Sequence, residues 1–173
     1  MAKTYDSIAS QTLSSNAATM SFTSIPNTYT DLILVVVTGA SQNASGHGGL
    51  RFRINNDSNV KYNFVQMELG SSALGDKDSL DGSGIIGATM SASQPITTSL
   101  NNFYVANFMS YSNTSVFKNV LGTSGSGIQR VGRSITTCSS YNAINSIQIF
   151  IGYLPFPNML AGTTASLYGV KNA

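Results

Sequence analysis

The chain contains one histidine, His47, in the glycine-rich sequence GHGG at residues 46–49. A histidine in such a loop can act as a general base, and a similar loop forms part of the oxyanion hole in esterases. That chemistry also needs a nucleophile with Gly-x-Ser-x-Gly spacing between a strand and a helix. Residues 122–127 (GTSGSG) do not fit that spacing, and no helical pattern follows them. The sequence therefore favours a solvated loop histidine over a catalytic one.

Three aspartates, Asp76, Asp78 and Asp81, are spaced closely enough to offer carboxylate oxygens to a calcium ion. The pattern departs from a calcium-binding EF-hand loop, because Leu80 stands where an oxygen ligand belongs and no bidentate glutamate follows. Zinc sites need clustered histidine and cysteine, and the chain has one of each. We therefore expect no metal and no cofactor, with a solvated acidic loop as the simpler interpretation of this stretch.

Carboxylate catalysis of glycoside hydrolysis needs two acids on facing elements. Apart from Asp6 and Glu68, the acidic residues lie in predicted turns and loops: Asp31, Asp57, Asp76, Asp78 and Asp81. The single cysteine, Cys138, is better explained as a small buried hydrophobic residue than as a nucleophile, because the sequence provides no base for it. The aromatic residues fall on predicted strands and favour core positions over a sugar-binding platform. The sequence thus predicts that the protein is not an enzyme.

The composition is low in charge and rich in small polar residues. Charged residues make up 9% of the chain, against about 25% in typical soluble domains. Serine, threonine and asparagine supply the polarity, and their side chains hydrogen-bond the local backbone in ways that favour turns over helices. A surface with few charges repels its neighbours weakly, and this suits a protein that works within an assembly.

The basic residues are scattered, and only Arg51 with Arg53 and Arg130 with Arg133 form close pairs. No basic stripe interleaved with aromatic residues is present, so we expect no nucleic-acid partner. The N-terminal sequence lacks the apolar core of a secretory signal, and no apolar run approaches the length of a membrane span. We therefore expect synthesis in a cytoplasm and no membrane partner.

The most informative stretch for the fold is residues 24–38 (SIPNTYTDLILVVVT). A proline-containing chain reversal precedes a short, valine-rich apolar run, and this combination predicts a strand. Alternation sends Leu32, Leu34 and Val36 to one face and Ile33, Val35 and Val37 to the other. Both faces are apolar, so we expect a central strand with the core on one side. A loop of the same chain or a neighbouring subunit would cover the other side.

Eight to ten short strands punctuated by glycine, asparagine, serine and proline can be recognised, and no helical pattern with caps is present. The sequence predicts one all-β domain over residues 1–173, a two-sheet antiparallel β-sandwich of the jelly-roll type, with a β-barrel as the alternative. It also predicts a hairpin turn at residues 55–59 (NNDSN) and a long loop over residues 70–102.

Three stretches together resemble a family of small structural proteins from tailed bacteriophages, especially phages of cyanobacteria and marine bacteria. They are residues 24–32 (SIPNTYTDL), residues 52–57 (FRINND) with residues 61–63 (KYN), and residues 165–170 (ASLYGV); residues 5–13 (YDSIASQTL) also fit. The second stretch has one extra residue and an asparagine where the family pattern has glycine. Residues 70–102 are unmatched.

The resemblance implies a virion β-sandwich protein, either a head decoration (cement) protein or a component of the tail or tail fibre that can bind host glycan. A decoration protein would bind the major capsid protein at the capsid surface, commonly as a homotrimer, after synthesis in the bacterial cytoplasm. Its role would be mechanical, since contacts made only by the assembled shell stabilise that shell.

Long glycine-rich loops and the second apolar face of the central strand are the predicted contact surfaces. Interfaces of permanent assemblies are large and apolar. The residues predicted to lie at such interfaces are Ile33, Val35, Val37, His47, Leu74, Leu80 and Ile85.

Overall fold

The structure is a computed structural model that describes residues 4–40, 49–57, 62–69, 75–80, 88–89, 98–100, 102–126, 130–152 and 158–171. Within these residues the chain forms twelve strands and no helix, which confirms the all-β prediction. The strands are β1 (Tyr5–Thr12), β2 (Thr19–Phe22), β3 (Asp31–Thr38), β4 (Gly49–Ile54), β5 (Tyr62–Leu69), β6 (Gly75–Leu80), β7 (Ala88–Thr89), β8 (Asn102–Met109), β9 (Lys118–Ser126), β10 (Arg130–Cys138), β11 (Ile147–Gly152) and β12 (Thr164–Val170).

The strands form two antiparallel sheets. The larger sheet has eight strands in the order β1-β12-β3-β8-β9-β10-β5-β6, and the smaller has four in the order β2-β11-β4-β7. Phe52 of β4 meets Phe108 of β8 edge-on, with ring centroids 5.0 Å apart, so side chains of both sheets share one core. This arrangement confirms the predicted two-sheet sandwich.

Strand pairing is nested in the manner of one long hairpin. The first strand pairs with the last (β1 with β12), followed inward by β2 with β11, β3 with β8 and β4 with β7. This long hairpin folds over on itself, so that β12 also pairs with β3 in one sheet and β11 also pairs with β4 in the other. Two four-stranded sheets connected in this way form a jelly roll. The pairs β5–β6 and β9–β10 extend one of them to eight strands.

The central strand β3 has the two-faced character that its sequence predicts. Leu32, Leu34 and Val36 are completely buried in the core between the sheets. Full burial of each such side chain stabilises the fold by about 1.5–3 kcal/mol. The alternate residues Ile33 and Val35 are only partly buried, and they point away from the smaller sheet.

Two local predictions are corrected by the strand pairing. The turn after β4 does not make a β4–β5 hairpin, because β4 pairs with β11 and β7 whereas β5 pairs with β10 and β6 in the other sheet. Asn55 and Asn56 do adopt positive φ in that turn. The predicted long loop over residues 70–102 contains the strands β6 and β7, and most of its remaining residues lie outside the described ones.

Candidate functional site: an apolar sheet face

We define the outer face as the side chains of β3, β8, β9, β10 and β12 that point away from the smaller sheet. Alternation along each strand separates these side chains from the buried core set. On the strands from β3 to β10 the apolar members are partly buried or exposed: Ile33, Val35, Val37, Phe103, Val105, Met109, Leu121, Val131 and Ile135.

The strand register brings these side chains into continuous rows across the sheet. One row runs through Ile33, Asn107, Leu121 and Ile135. The next runs through Val35, Val105, Thr123 and Arg133, and a third through Val37, Phe103, Gly125 and Val131. Cross-strand neighbours on one face lie about 4.5–5.5 Å apart, so these residues form one patch.

Gly125 provides space for the ring of Phe103 within the third row. A Cβ atom at Gly125 would overlap the nearest ring carbons of Phe103, closer than any real contact. The ring therefore lies across the backbone of β9 and fills the position where a side chain of the neighbouring strand would stand. The outer face is consequently continuous and apolar at this point.

The outer face is open to solvent in the single chain. Ile135 is 58% exposed and Val131 is 49% exposed, and Phe103, Leu121 and Met109 are also exposed. Isolated apolar residues on a surface are ordinary, whereas contiguous exposed apolar patches mark interaction sites. The register rows make this patch contiguous, so the outer face is the candidate functional site.

Two charged residues occupy the outer face among the described side chains. Asp31 begins β3, and its Oδ1 accepts a hydrogen bond of 2.7 Å from the backbone N–H of Ser110. Arg133 lies on β10 with an exposed side chain. Protein–protein interfaces have an apolar centre that is depleted in charged residues, and the outer face has this composition.

The structure brings together three of the predicted interface residues, Ile33, Val35 and Val37, in adjacent positions of the outer face. Leu80 ends β6, the edge strand of the same sheet, and its side chain lies outside the described part of the structure. His47, Leu74 and Ile85 also lie outside the described residues.

Sequence reasoning missed the larger part of the outer face. Phe103, Leu121 and Ile135 belong to it, and none was predicted as an interface residue. The alternation of apolar residues in β8 carries a signal of the same kind as that in β3. In β9 and β10 the signal is weak, because glycine, serine and threonine hold most of the inner positions.

Cys138 offers no nucleophile to this site. Its side chain is completely buried, and burial raises the pKa of the thiol to about 12. The thiol is therefore protonated at neutral pH, and the thiolate is the nucleophilic form. Among the described residues no three histidine, cysteine, aspartate or glutamate side chains cluster as a metal site would require.

A second, smaller exposed surface lies in the loops before β9 and after β10. Phe117 and Tyr141 pack together with ring centroids 4.5 Å apart and planes inclined by 36°. Both rings are exposed, and Val116 beside them is exposed as well. Paired exposed aromatic rings can contact a sugar ring or another protein.

No family model, curated protein or solved structure matches this chain. In the described part of the chain, no helix has the length and apolar character to cross a membrane.

Proposed function

We propose that this chain is a structural protein of a tailed-phage virion that decorates the capsid surface and binds the major capsid protein. The observation that carries the proposal is the outer face, a contiguous apolar patch that a single chain leaves open to solvent. A protein that is permanently part of an assembly covers such a face with a partner, and obligate interfaces are more apolar than transient ones. The low charge of the chain and its resemblance to phage structural proteins support the same function.

The mechanism in this proposal is mechanical stabilisation. A protein that binds the assembled shell and has no affinity for its dissociated subunits lowers the free energy of the shell, by an amount that grows with the ratio of free ligand to Kd. The shell then resists the pressure of packaged DNA without any chemical step. Self-association of the chain would multiply these contacts through avidity.

The test is quantitative mass spectrometry of purified virions, combined with binding of the purified protein to capsids that lack it. A decoration protein is expected in hundreds of copies per particle and should raise the temperature at which shells open. A few copies confined to the tail, with no binding to shells, would refute the capsid role.

The alternative is a tail or tail-fibre component that binds host glycan. The exposed pair Phe117 and Tyr141 favours it, because aromatic rings at a loop surface can stack on sugars. Binding on a glycan array that Tyr141→Ala abolishes, together with labelling of the tail in electron micrographs, would support this alternative over the capsid role.

A further inference from the structure

We propose that the outer face binds the outer face of a second copy of this chain, about a twofold axis that passes between Asn107 and Leu121. The inference rests on the proposed function in one respect, since it assigns the apolar patch that carries that function to the contact between copies. The dimer would then bind the capsid through surfaces other than the outer face. It adds a symmetry, a crossing angle and an ion pair between copies, each of which can be tested separately.

The area of the outer face is sufficient for such a contact. Strands lie about 4.8 Å apart and advance about 3.4 Å per residue, so the five strands of the outer face, with about eight residues each, cover roughly 650 Å². Stable protein–protein interfaces bury about 600–1,000 Å² on each partner. The outer face therefore falls within the size range of one interface.

The two charged residues described on the outer face are placed far apart. The register puts Arg133 in the row of Val35 but three strands away, and Asp31 precedes Val35 by four residues along β3. Each of these separations is about 14 Å, so Asp31 and Arg133 lie about 20 Å apart. An ion pair between them within one chain is excluded by that distance.

With twofold symmetry between two copies, the separated charges Asp31 and Arg133 become complementary across the interface. In an isologous interface, residue i contacts residue j of the partner and j contacts i. An axis in the plane of the interface that exchanges the two positions brings Asp31 of each copy opposite Arg133 of the other. Two ion pairs then form at opposite corners of an apolar contact.

The position and direction of the axis follow from the same register. The midpoint between Asp31 and Arg133 lies between β8 and β9 in the row of Asn107 and Leu121. Because the two separations are nearly equal, the axis runs at about 45° to the strands, and the strands of the two copies cross at about 90°. Orthogonal packing is one of the two preferred arrangements of stacked sheets.

Asn107 supports this placement of the axis. Its Oδ1 is buried and accepts no hydrogen bond from any described residue. A buried unpaired amide oxygen is unfavourable. Close to the axis, Asn107 of one copy lies near Asn107 of the other. If both side chains rotate on dimerisation, the amide nitrogen of one copy can donate to the amide oxygen of the other, which is no longer left unpaired.

The experiment is sedimentation of the purified full chain over a concentration series, with charge reversals on the outer face. Wild type is expected to form a dimer. Arg133→Glu and Asp31→Lys should each weaken that dimer about tenfold or more, because like charges then face each other at both corners of the interface. An equimolar mixture of the two variants should recover the dimer. In the mixed dimer the introduced lysine faces the introduced glutamate and the remaining Asp31 faces the remaining Arg133, so both contacts are attractive. Lys171→Glu, outside the outer face, is the matched control and should sediment as wild type.

Circular dichroism and the unfolding midpoint of each variant establish that it is folded, and Arg133→Glu alone carries the test if Asp31→Lys is unfolded. A wild-type chain that is monomeric at about 100 µM, well above the Kd of a stable dimer, would overturn the inference. A trimer, or a mixture of variants that stays monomeric although both are folded, would overturn the twofold geometry. If the chain is a dimer but is absent from virions, this inference stands and the proposed function is refuted. If the chain is a monomer but is abundant on capsids, the proposed function stands and this inference is refuted.

Discussion

Lys118 of β9 lies directly opposite Cys138 of β10 in the antiparallel ladder, and both side chains are completely buried. The Lys118 amine donates hydrogen bonds to the backbone oxygens of Asn113 and Val116, the latter at 3.1 Å. Burial lowers the pKa of Lys118 and raises that of Cys138. The pair links the turn before β9 to the interior and makes the stability of the protein sensitive to alkaline pH.

The first prediction concerns the pH dependence of stability through Cys138. The thiol loses its proton near pH 9 in the unfolded chain and near pH 12 in the folded one. The folded state therefore binds more protons in this window, and the thiol's contribution to the free energy of unfolding falls as pH rises, by at most about 1.4 kcal/mol per pH unit. Lys118 acts in the opposite direction, because its pKa is lowered in the folded state.

Urea unfolding of wild type and Cys138→Ala at several pH values from 8 to 11 isolates the thiol. The difference in free energy of unfolding between the two proteins should shrink as pH rises. A difference that stays constant over this range would show that the thiol does not control the alkaline slope.

The second prediction concerns Tyr111, whose hydroxyl donates to the backbone oxygen of Pro26 and accepts from the N–H of Tyr29 at 3.3 Å. These bonds tie the segment before β3 to the end of β8. Tyr111→Phe removes two part-buried hydrogen bonds, each worth about 0.5–1.5 kcal/mol, and should lower the free energy of unfolding by about 1–3 kcal/mol. Tyr5→Phe is the control, since that ring is exposed. Equal midpoints for the two variants in urea would contradict the assignment.

The third prediction tests the contact between Gly169 and Tyr29. A Cβ atom at Gly169 would overlap the ring of Tyr29, so Gly169→Ala should destabilise the fold by about 1–3 kcal/mol through overpacking. In a Tyr29→Ala background the same change should cost much less, because the ring is gone. A double-mutant cycle by thermal unfolding measures the coupling, and strictly additive effects would be incompatible with a clash.

The fourth prediction separates two neighbouring asparagines that both have positive φ. Asn55 accepts hydrogen bonds from the backbone N–H groups of Asn145 and Ser146 at 2.9 and 3.3 Å, and its amide donates to the Ala143 oxygen at 2.9 Å. Asn55→Ala removes these bonds and strains the backbone, so we expect a loss of about 3 kcal/mol or more.

Asn56→Gly is the matched control for Asn55→Ala, because glycine adopts positive φ without strain. It should leave the free energy of unfolding nearly unchanged. The two variants are compared by their urea midpoints, and a loss in Asn56→Gly as large as that in Asn55→Ala would contradict the assignment of the loss to the side-chain bonds of Asn55.

The fifth prediction uses the unpaired oxygen of Asn107 on the outer face. Asn107→Val replaces a polar group between Ile33 and Leu121 with a β-branched residue that suits a strand. We expect the free energy of unfolding of the monomer to rise by about 1 kcal/mol, equivalent to about 2–4 °C in Tm for a domain of this size. Calorimetry on dilute protein measures the change, with Thr123→Val as the control. A lower Tm for Asn107→Val would indicate that the Asn107 amide oxygen has a hydrogen-bond partner in solution.

The sequence by itself determined the class of fold and most of the strands, although β6 and β7 lie in a stretch that it predicted as a loop. The period-two pattern at Leu32, Leu34 and Val36 specified a strand with one face in the core, and these residues are fully buried. The same pattern placed Ile33, Val35 and Val37 together on a second apolar face. Such alternation is a local property of the chain, so it can be recognised without knowing which strands are neighbours.

Strand partners were decided by the tertiary structure alone. The Asn55–Asn56 turn looked like a hairpin, yet the Asn55 side chain bonds residues 143–146, far away in sequence, and β5 belongs to the other sheet. Turn residues set the local dihedral angles but carry no information about which strand the chain meets next. The outer face depends on the same choice, because Phe103, Leu121 and Ile135 join Ile33 in one patch only through the register of β3, β8, β9 and β10.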